Sequence, residues 1–250
     1  MMNLTKKLCA SLLSAVALVA AAPLHAQQTD IPRYNLYGGF VDFYTPHLND
    51  IHQKGFHLQA GTNLNKWIAG GFDYSIATGS TNLTSGLANA ALQAQINASI
   101  AQYKALGYLP ANYQLSIPLN TNLQTYTMGT QLTIRHFKRV TIFARPALSA
   151  FRLKATPNPA SSDTFAVTVS KQLAPAGYKT DWVGAYGIGG GLDYKITRNW
   201  GIRAQYDAAF NHPFNDILGS GGWTNRFSVG PSFSFGKNIL SGKKTMKTGN

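Results

Sequence analysis

The sequence predicts an all-β chain: an eight-stranded antiparallel up-and-down transmembrane β-barrel with helical insertions in its outer loops. Three observations predict it. Eight segments alternate apolar and polar residues with a period of two. The connections between them alternate between short turns and long loops. The polar face of the segments carries small uncharged groups in place of the Lys and Glu that a water-facing surface uses.

The chain opens with a leader. Lys6 and Lys7 are basic, Leu8 to Ala22 is apolar, and Pro23 to Ala26 ends in a small residue. This is the pattern of a secretory signal peptide over residues 1–26, cleaved before Gln27. Its apolar run is short for a helical span of about 20 residues. Cys9, the single cysteine, belongs to the leader and does not stand at the end of its apolar run, so it is not placed for lipid attachment. The exported part then has no thiol and no disulfide. It also lacks a second long apolar run, so it can enter a membrane only as a closed barrel, which satisfies its backbone polar groups internally.

Composition agrees. Hydrophobic residues make up 44% of the chain and charged residues only 12%, about half the share of a typical soluble domain. All 9 acidic residues are Asp, and a soluble helical protein would lean on Glu. The net charge is +13, but the basic residues are dispersed apart from Lys243, Lys244 and Lys247, so the footprint of a nucleic-acid-binding protein is absent.

The strands follow in order. The first, from Tyr34 to Tyr44, has mixed faces: Tyr37, Val41 and Phe43 oppose Gly38 and Asp42, while Leu36 and Phe40 share the face of Asp42. The second sets Phe56, Leu58, Ala60, Thr62 and Leu64 against His57, Gln59, Gly61 and Asn63. The third sets Ile68, Phe72, Tyr74 and Ile76 against Ala69, Gly71, Asp73 and Ser75. The fourth sets Tyr126, Met128, Leu132 and Ile134 against Thr125, Thr127, Gly129, Gln131 and Thr133. The fifth sets Val140, Ile142, Ala144 and Leu148 against Thr141, Arg145 and Ser149. The sixth sets Trp182, Tyr186, Ile188, Leu192 and Tyr194 against Gly187, Gly189, Gly191 and Asp193. The seventh sets Ile202, Ala204, Tyr206 and Phe210 against Arg203, Gln205 and Asp207. The eighth sets Phe227, Val229, Pro231, Phe233 and Phe235 against Arg226, Ser228, Gly230, Ser232 and Ser234. Each is roughly the 10 to 13 residues of a tilted membrane strand.

Short turns fall at Asn65-Lys66, Phe137-Lys138 and Thr197-Arg198-Asn199. Long connections run over 45–54, 80–123, 153–180 and 211–222. Short inner turns opposite long outer loops are the layout of an outer-membrane barrel, with both termini on the periplasmic side. The barrel is expected over residues 27–236, followed by a basic tail, 237–250. In loop 80–123, Leu92, Ile96 and Ile100 mark a helix, capped by Thr84 or Ser85 and stopped at Gly107. In loop 153–180, a second helix is expected over Thr164 to Leu173, capped by Ser161, Ser162 or Asp163.

A soluble ligand-binding barrel has the same period with its faces reversed. The Lys-free polar face points to a crowded lumen instead. Its charges, Asp42, Asp73, Arg145, Asp193, Arg203, Asp207 and Arg226, are expected to form an internal ion network, since an unpaired charge there is costly. Asp193 with Arg203 and Asp73 with Arg145 are the expected pairs. Trp67, Tyr126, Trp182, Tyr194 and Trp200 stand near strand ends on the apolar face, where a membrane-interface girdle is expected.

Several stretches resemble the small OmpA-like outer-membrane barrels. Tyr34 to Phe40, Gly55 to Gly61, Asn65-Lys66-Trp67 and Gly70 to Tyr74 look like their opening strands. Gly189 to Tyr194, Asn199 to Arg203 and Gly230 to Gly236 look like their closing strands. The resemblance covers the barrel and not the two long loops. It implies an integral protein of the bacterial outer membrane, with structural, adhesive or modest pore roles. Two departures stand out. The peptidoglycan-binding domain of many relatives is not expected after the short tail. The terminal aromatic that helps small barrels insert has to be supplied by Phe235.

The expected role is therefore structural or surface-interacting. The expected partners are outer-membrane lipid and lipopolysaccharide, and an extracellular ligand through the outer loops. The protein is expected as a monomer without cofactors. A narrow pore is the alternative, followed by an outer-membrane enzyme. For the latter, a His/Asp/Ser set from His47, Asp50, His52, His57, His212 and Asp216 is conceivable, and the same His residues with an Asp could suggest a metal site, but the spacing matches no strong motif. The Gly-rich run Gly187 to Gly191 lies within a strand and reads as lumen packing, not as a phosphate loop.

Overall fold

The computed structural model describes residues 28–241. The expected signal peptide and the tail lysines Lys243, Lys244 and Lys247 lie outside the described residues. Eight strands form a closed barrel in which each pairs antiparallel with its sequence neighbours and the last pairs with the first. They are β1 (Pro32–Thr45), β2 (Ile51–Asn63), β3 (Ile68–Thr84), β4 (Ser116–Ile134), β5 (Val140–Pro157), β6 (Lys179–Lys195), β7 (Trp200–Asn211) and β8 (Gly222–Asn238). The predicted all-β fold class is the observed one. Closure leaves no unpaired edge, which is why so long a set of strands is stable without a second sheet.

Two helices stand in the outer connections, α1 (Ala90–Ala105) and α2 (Thr164–Leu173). No helix among the described residues is long and apolar enough to cross a membrane. Asp163 caps α2, accepting from Ala166 N at 2.9 Å. The N-cap of α1 is Asn89, which accepts from Leu92 N at 2.9 Å. Thr84 and Ser85, expected as caps, instead end β3 and begin a short 3-10 turn.

The outer connections are shorter than expected. The β3–β4 ladder continues to Thr84 opposite Ser116, and β4–β5 continues to Leu119 opposite Pro157. The loops expected over 80–123 and 153–180 therefore shrink to 85–115 and 158–178. Their strand portions are rich in Thr, Ser and Asn, because a sheet face in water has no need of apolar residues. The apolar alternation stops there while the hydrogen-bonded ladder does not. At the other end, β8 runs past residue 236 to Asn238. That side chain accepts from Ile31 N at 3.1 Å and donates to Thr29 O at 2.8 Å, tying the start of the barrel to its end.

Candidate functional site

The lumen was the first candidate site. Its centre is a ring of four charges from four strands. Asp73 on β3 meets Arg145 Nη2 at 2.6 Å and Arg226 Nη1 at 3.2 Å. Asp207 on β7 accepts from Arg145 Nε at 2.9 Å and from Arg226 Nη2 at 2.8 Å. Two carboxylates and two guanidinium groups make the ring neutral. Gln205 donates to Asp207 at 2.7 Å and Ser75 accepts from Arg226 at 3.1 Å. Arg145 is 4% exposed and Asp73 is fully buried. Charges this dry are tolerated only when paired and hydrogen-bonded.

Asp193 and Arg203 stand one layer nearer the periplasm, 2.6 Å apart. Arg203 also donates to Gln59 at 2.7 Å and lies against the rings of Tyr37 and Phe143. Below them, Arg135 donates to Asn63 and to the Lys66 carbonyl at 2.6 Å each. The buried Gln28 donates to the carbonyls of Phe137 and Val140, both at 3.2 Å, so the segment before β1 closes the inner mouth. Lys195 also reaches this rim, donating to the Asp30 carbonyl. The inward face is thus free of Lys only between its two ends, since Lys179 stands on it at the outer end of β6, paired with Asp216.

Asp42 is not in the lumen. It faces outward, with its carboxylate 3.2 Å from His52 Nδ1 and its backbone opposite Lys54. Val41 and Phe43 point inward instead and are 1% exposed each. They belong to an apolar plug with Leu123, Phe151 and Leu153, closed from above by Phe214 and Leu218 of the last outer loop. The expectation failed because polar-inward alternation holds only within the bilayer. Above it the outer face meets water and the inner face packs on the inturned loop. Two cavities in the lumen measure about 20 and 30 Å³, each enough for about one or two waters.

The histidines do not gather into one site: His47 and His212 lie near each other and the others stand apart. His57 lies inside the barrel at 0% exposure, with Nδ1 3.0 Å from Ser228 Oγ and Nε2 3.5 Å from Asp73. Ser228, His57 and Asp73 thus line up as a Ser-His-Asp series, but all three are fully buried. Asp50 accepts from the Tyr44 hydroxyl, and Asp216 pairs with Lys179. His47 and His212 lie in the outer connections. Among the described residues no three His, Asp, Glu or Cys side chains come together as a metal site.

The outer cap is the second candidate site. α1 and α2 pack through Ile96 and Ile100 against Phe165, Ala166 and Val169, over Leu115 and Ile117 of the β4 hairpin. α2, with 10 residues, is too short to be stable alone, so this shared core is what orders it. Between them opens a cleft of about 810 Å³. Its floor is apolar, with Leu92, Ile96 and Val169, and Gln95, Ser99, Thr168 and Gln172 are among its polar lining. Phe165 stands at one end with Tyr103 and Tyr113 edge-on to it at 5.4 and 5.9 Å. The Tyr113 hydroxyl donates to Asp163 at 2.8 Å, and burial together with that carboxylate raises the phenol above its ordinary range.

The exterior decides the class of barrel. Ile188 is 65% exposed and Leu148 69%, and Phe40, Leu58, Met128 and Phe227 are exposed beside them, while Asp73, Arg145, Arg203, Asp207 and Arg226 are buried inside. Soluble monomers rarely expose so many large apolar side chains together. Aromatics rim it at both ends. Trp67, Tyr194 and Trp200 point outward near the inner turns, and Trp182 does so toward the outer side, with Tyr126 stacked on it at 5.7 Å. The chain has the fold of a small outer-membrane β-barrel. That is the architecture the family resemblance implied.

Solved structures to which the chain is similar include Neisserial surface protein A, at 12% identity over 81% of this chain and 97% of that one, with a TM-score of 0.49. Ail, the attachment invasion locus protein of Yersinia pestis, is 12% identical over 82% and 99%, with a TM-score of 0.42. OprG from Pseudomonas aeruginosa is 9% identical over 84% and 99%, with a TM-score of 0.43. No protein-family model and no curated protein sequence matches the chain.

Sequence reasoning missed the apolar plug and the part of His57 in the charge layer. The plug had a signal: Phe43, Phe151 and Leu153 break the polar phase of their strands. His57 had one too, since it shares the polar face of β2 with Gln59.

Proposed function

We propose that the chain is an integral protein of the bacterial outer membrane with a structural or surface-interaction role, in which the barrel anchors and the cap makes contact. The contrast between lumen and cap carries this reading. The lumen is filled at every level, by the rim at Arg135 and Gln28, the ion layers and the apolar plug. An eight-stranded barrel is narrow enough to be filled by its own side chains. The cap, in contrast, presents an open cleft of about 810 Å³ to the outside.

The filled lumen weighs against the narrow pore. The burial of Ser228, His57 and Asp73 weighs against an enzyme built on them, since no substrate reaches them. The protein should fractionate with the outer membrane and show heat-modifiable gel mobility; recovery as a soluble periplasmic protein would reject the reading. A strain lacking the chain, complemented with the full barrel or with one whose residues 85–115 and 158–178 are replaced by short turns, separates the two roles. Detergent resistance restored by both forms places the role in the barrel. Surface binding restored by the full form alone places it in the cap.

A further inference from the structure

The outward wall of β4 and β5 carries a feature that the wall at β2 lacks. Arg152 sits level with the outer girdle, in register with Trp182 on one side and Gln124 on the other. Its guanidinium lies 5.8 Å from the Trp182 ring and donates to Gln124 Oε1 at 3.3 Å. Lys154 follows two positions along the same face, with Nζ 4.2 Å from the Tyr178 ring. Neither cation takes part in any of the ion pairs among the described residues. On β2, Lys54 has Asp42 beside it in register, an acidic neighbour that Arg152 and Lys154 lack in their rows, although Asp42 itself pairs with His52.

The layers on this wall are ordered. Apolar side chains come first, then the stacked rings of Tyr126 and Trp182 with Arg152 in the row of Trp182, then Lys154. Thr78 and Asn122 stand in the row of Lys154, Asn120 and Thr156 stand one step above it, and all four share with the cations a groove of about 560 Å³. Girdle rings mark the headgroup level of a bilayer, and cations beside and just beyond them attract anionic headgroups. The neutral amides and hydroxyls offer donors and acceptors to sugar hydroxyls, not to a further charge. The groove is within the size range of small-ligand sites.

We propose that this wall binds a phosphorylated glycolipid of the outer leaflet. Arg152 and Lys154 hold the phosphate, and the amides and hydroxyls beside and above Lys154 hold the sugar. The inference rests on the membrane reading above and assigns it a lipid contact separate from the cap cleft.

Native mass spectrometry of the folded protein released from nanodiscs tests it, with bis-phosphorylated lipid A, its dephosphorylated form and phosphatidylglycerol as probes. Retention of bis-phosphorylated lipid A above the other two is expected. The Arg152→Gln/Lys154→Gln double variant should lose that retention about tenfold or more, as expected for two cations at the headgroup level. Lys54→Gln should bind as the wild type does. Unchanged binding in the double variant, equal loss in Lys54→Gln, or equal retention of phosphatidylglycerol would overturn the proposal. Failure of the chain to enter nanodiscs at all, seen as absent heat-modifiable mobility, would instead reject the membrane reading beneath it.

Discussion

Arg145 on β5 reaches Asp207 on β7 by crossing over Gly189 on the strand between them, with Nε donating to Oδ1 at 2.9 Å. The three residues stand in one register row. A Cβ at Gly189 would overlap the Asp207 carboxylate. The glycine-rich run of β6 therefore gives the ion ring the room to span three strands. Gly189→Ala should displace Asp207 and lower the unfolding free energy by about 3–5 kcal/mol, the usual effect of breaking a buried ion pair. Urea titration in lipid vesicles measures it. Gly184→Ala, where a Cβ meets nothing within 4 Å, should leave the midpoint unchanged.

The sealed lumen predicts electrical silence. In planar bilayers the wild-type barrel should show no discrete conductance steps. Phe214→Ala with Leu218→Ala removes two plug residues but leaves the ion ring intact, so it should also be silent. Adding Arg226→Ala strips a cation from both Asp73 and Asp207 and should produce steps. Steps in the wild type would show that the layers do not close the path.

The cap should resist alkali. The Tyr113 phenol is raised above its ordinary value of about 10 by burial and by Asp163. A raised folded value means that its contribution to cap stability is complete below that ordinary value. The contribution is lost only as pH rises through the higher, folded one. Ultraviolet titration of phenolate should show a late-titrating tyrosine that Tyr113→Phe removes.

Asp163 both caps α2 and accepts from Tyr113. Asp163→Ala should cost about 0.5–2 kcal/mol in the docking of α2, the range for losing an N-cap. Faster limited proteolysis within 158–178 reports it. The urea midpoint of the barrel should not move.

Phe235 packs on Tyr34 at 5.4 Å across the seam where β8 meets β1, and stacks on Phe233 of its own strand at 5.8 Å. Phe235→Ala should lower the folded fraction on unheated gels after refolding into vesicles, because aromatic pairs add about 0.5–1.5 kcal/mol beyond their buried area. An unchanged fraction would show that the seam closes without this contact.

The strand number, their phase and the two-sided loop layout were legible because they are local. Side chains alternate across any strand, and a bilayer demands apolar residues on one face only. The helix over Thr164–Leu173 was legible for the same reason, through its period and its cap. Asp42 was misread because its strand mixes both faces, and because polarity reverses where β1 leaves the bilayer. Local pattern carries no record of how high a residue stands.

What the sequence by itself determined is thus a closed barrel, its polar residues inward and its termini on one side. Only the tertiary structure decided which charges meet. Asp73 and Arg226 are 153 residues apart in the chain and 3.2 Å apart in the lumen, because ring closure and strand register set height and azimuth together. It also decided that the outermost lumen is apolar, since Phe214 and Leu218 turn inward to cover the mouth. That placement depends on the loop finding a buried surface, which exists only once the barrel has closed.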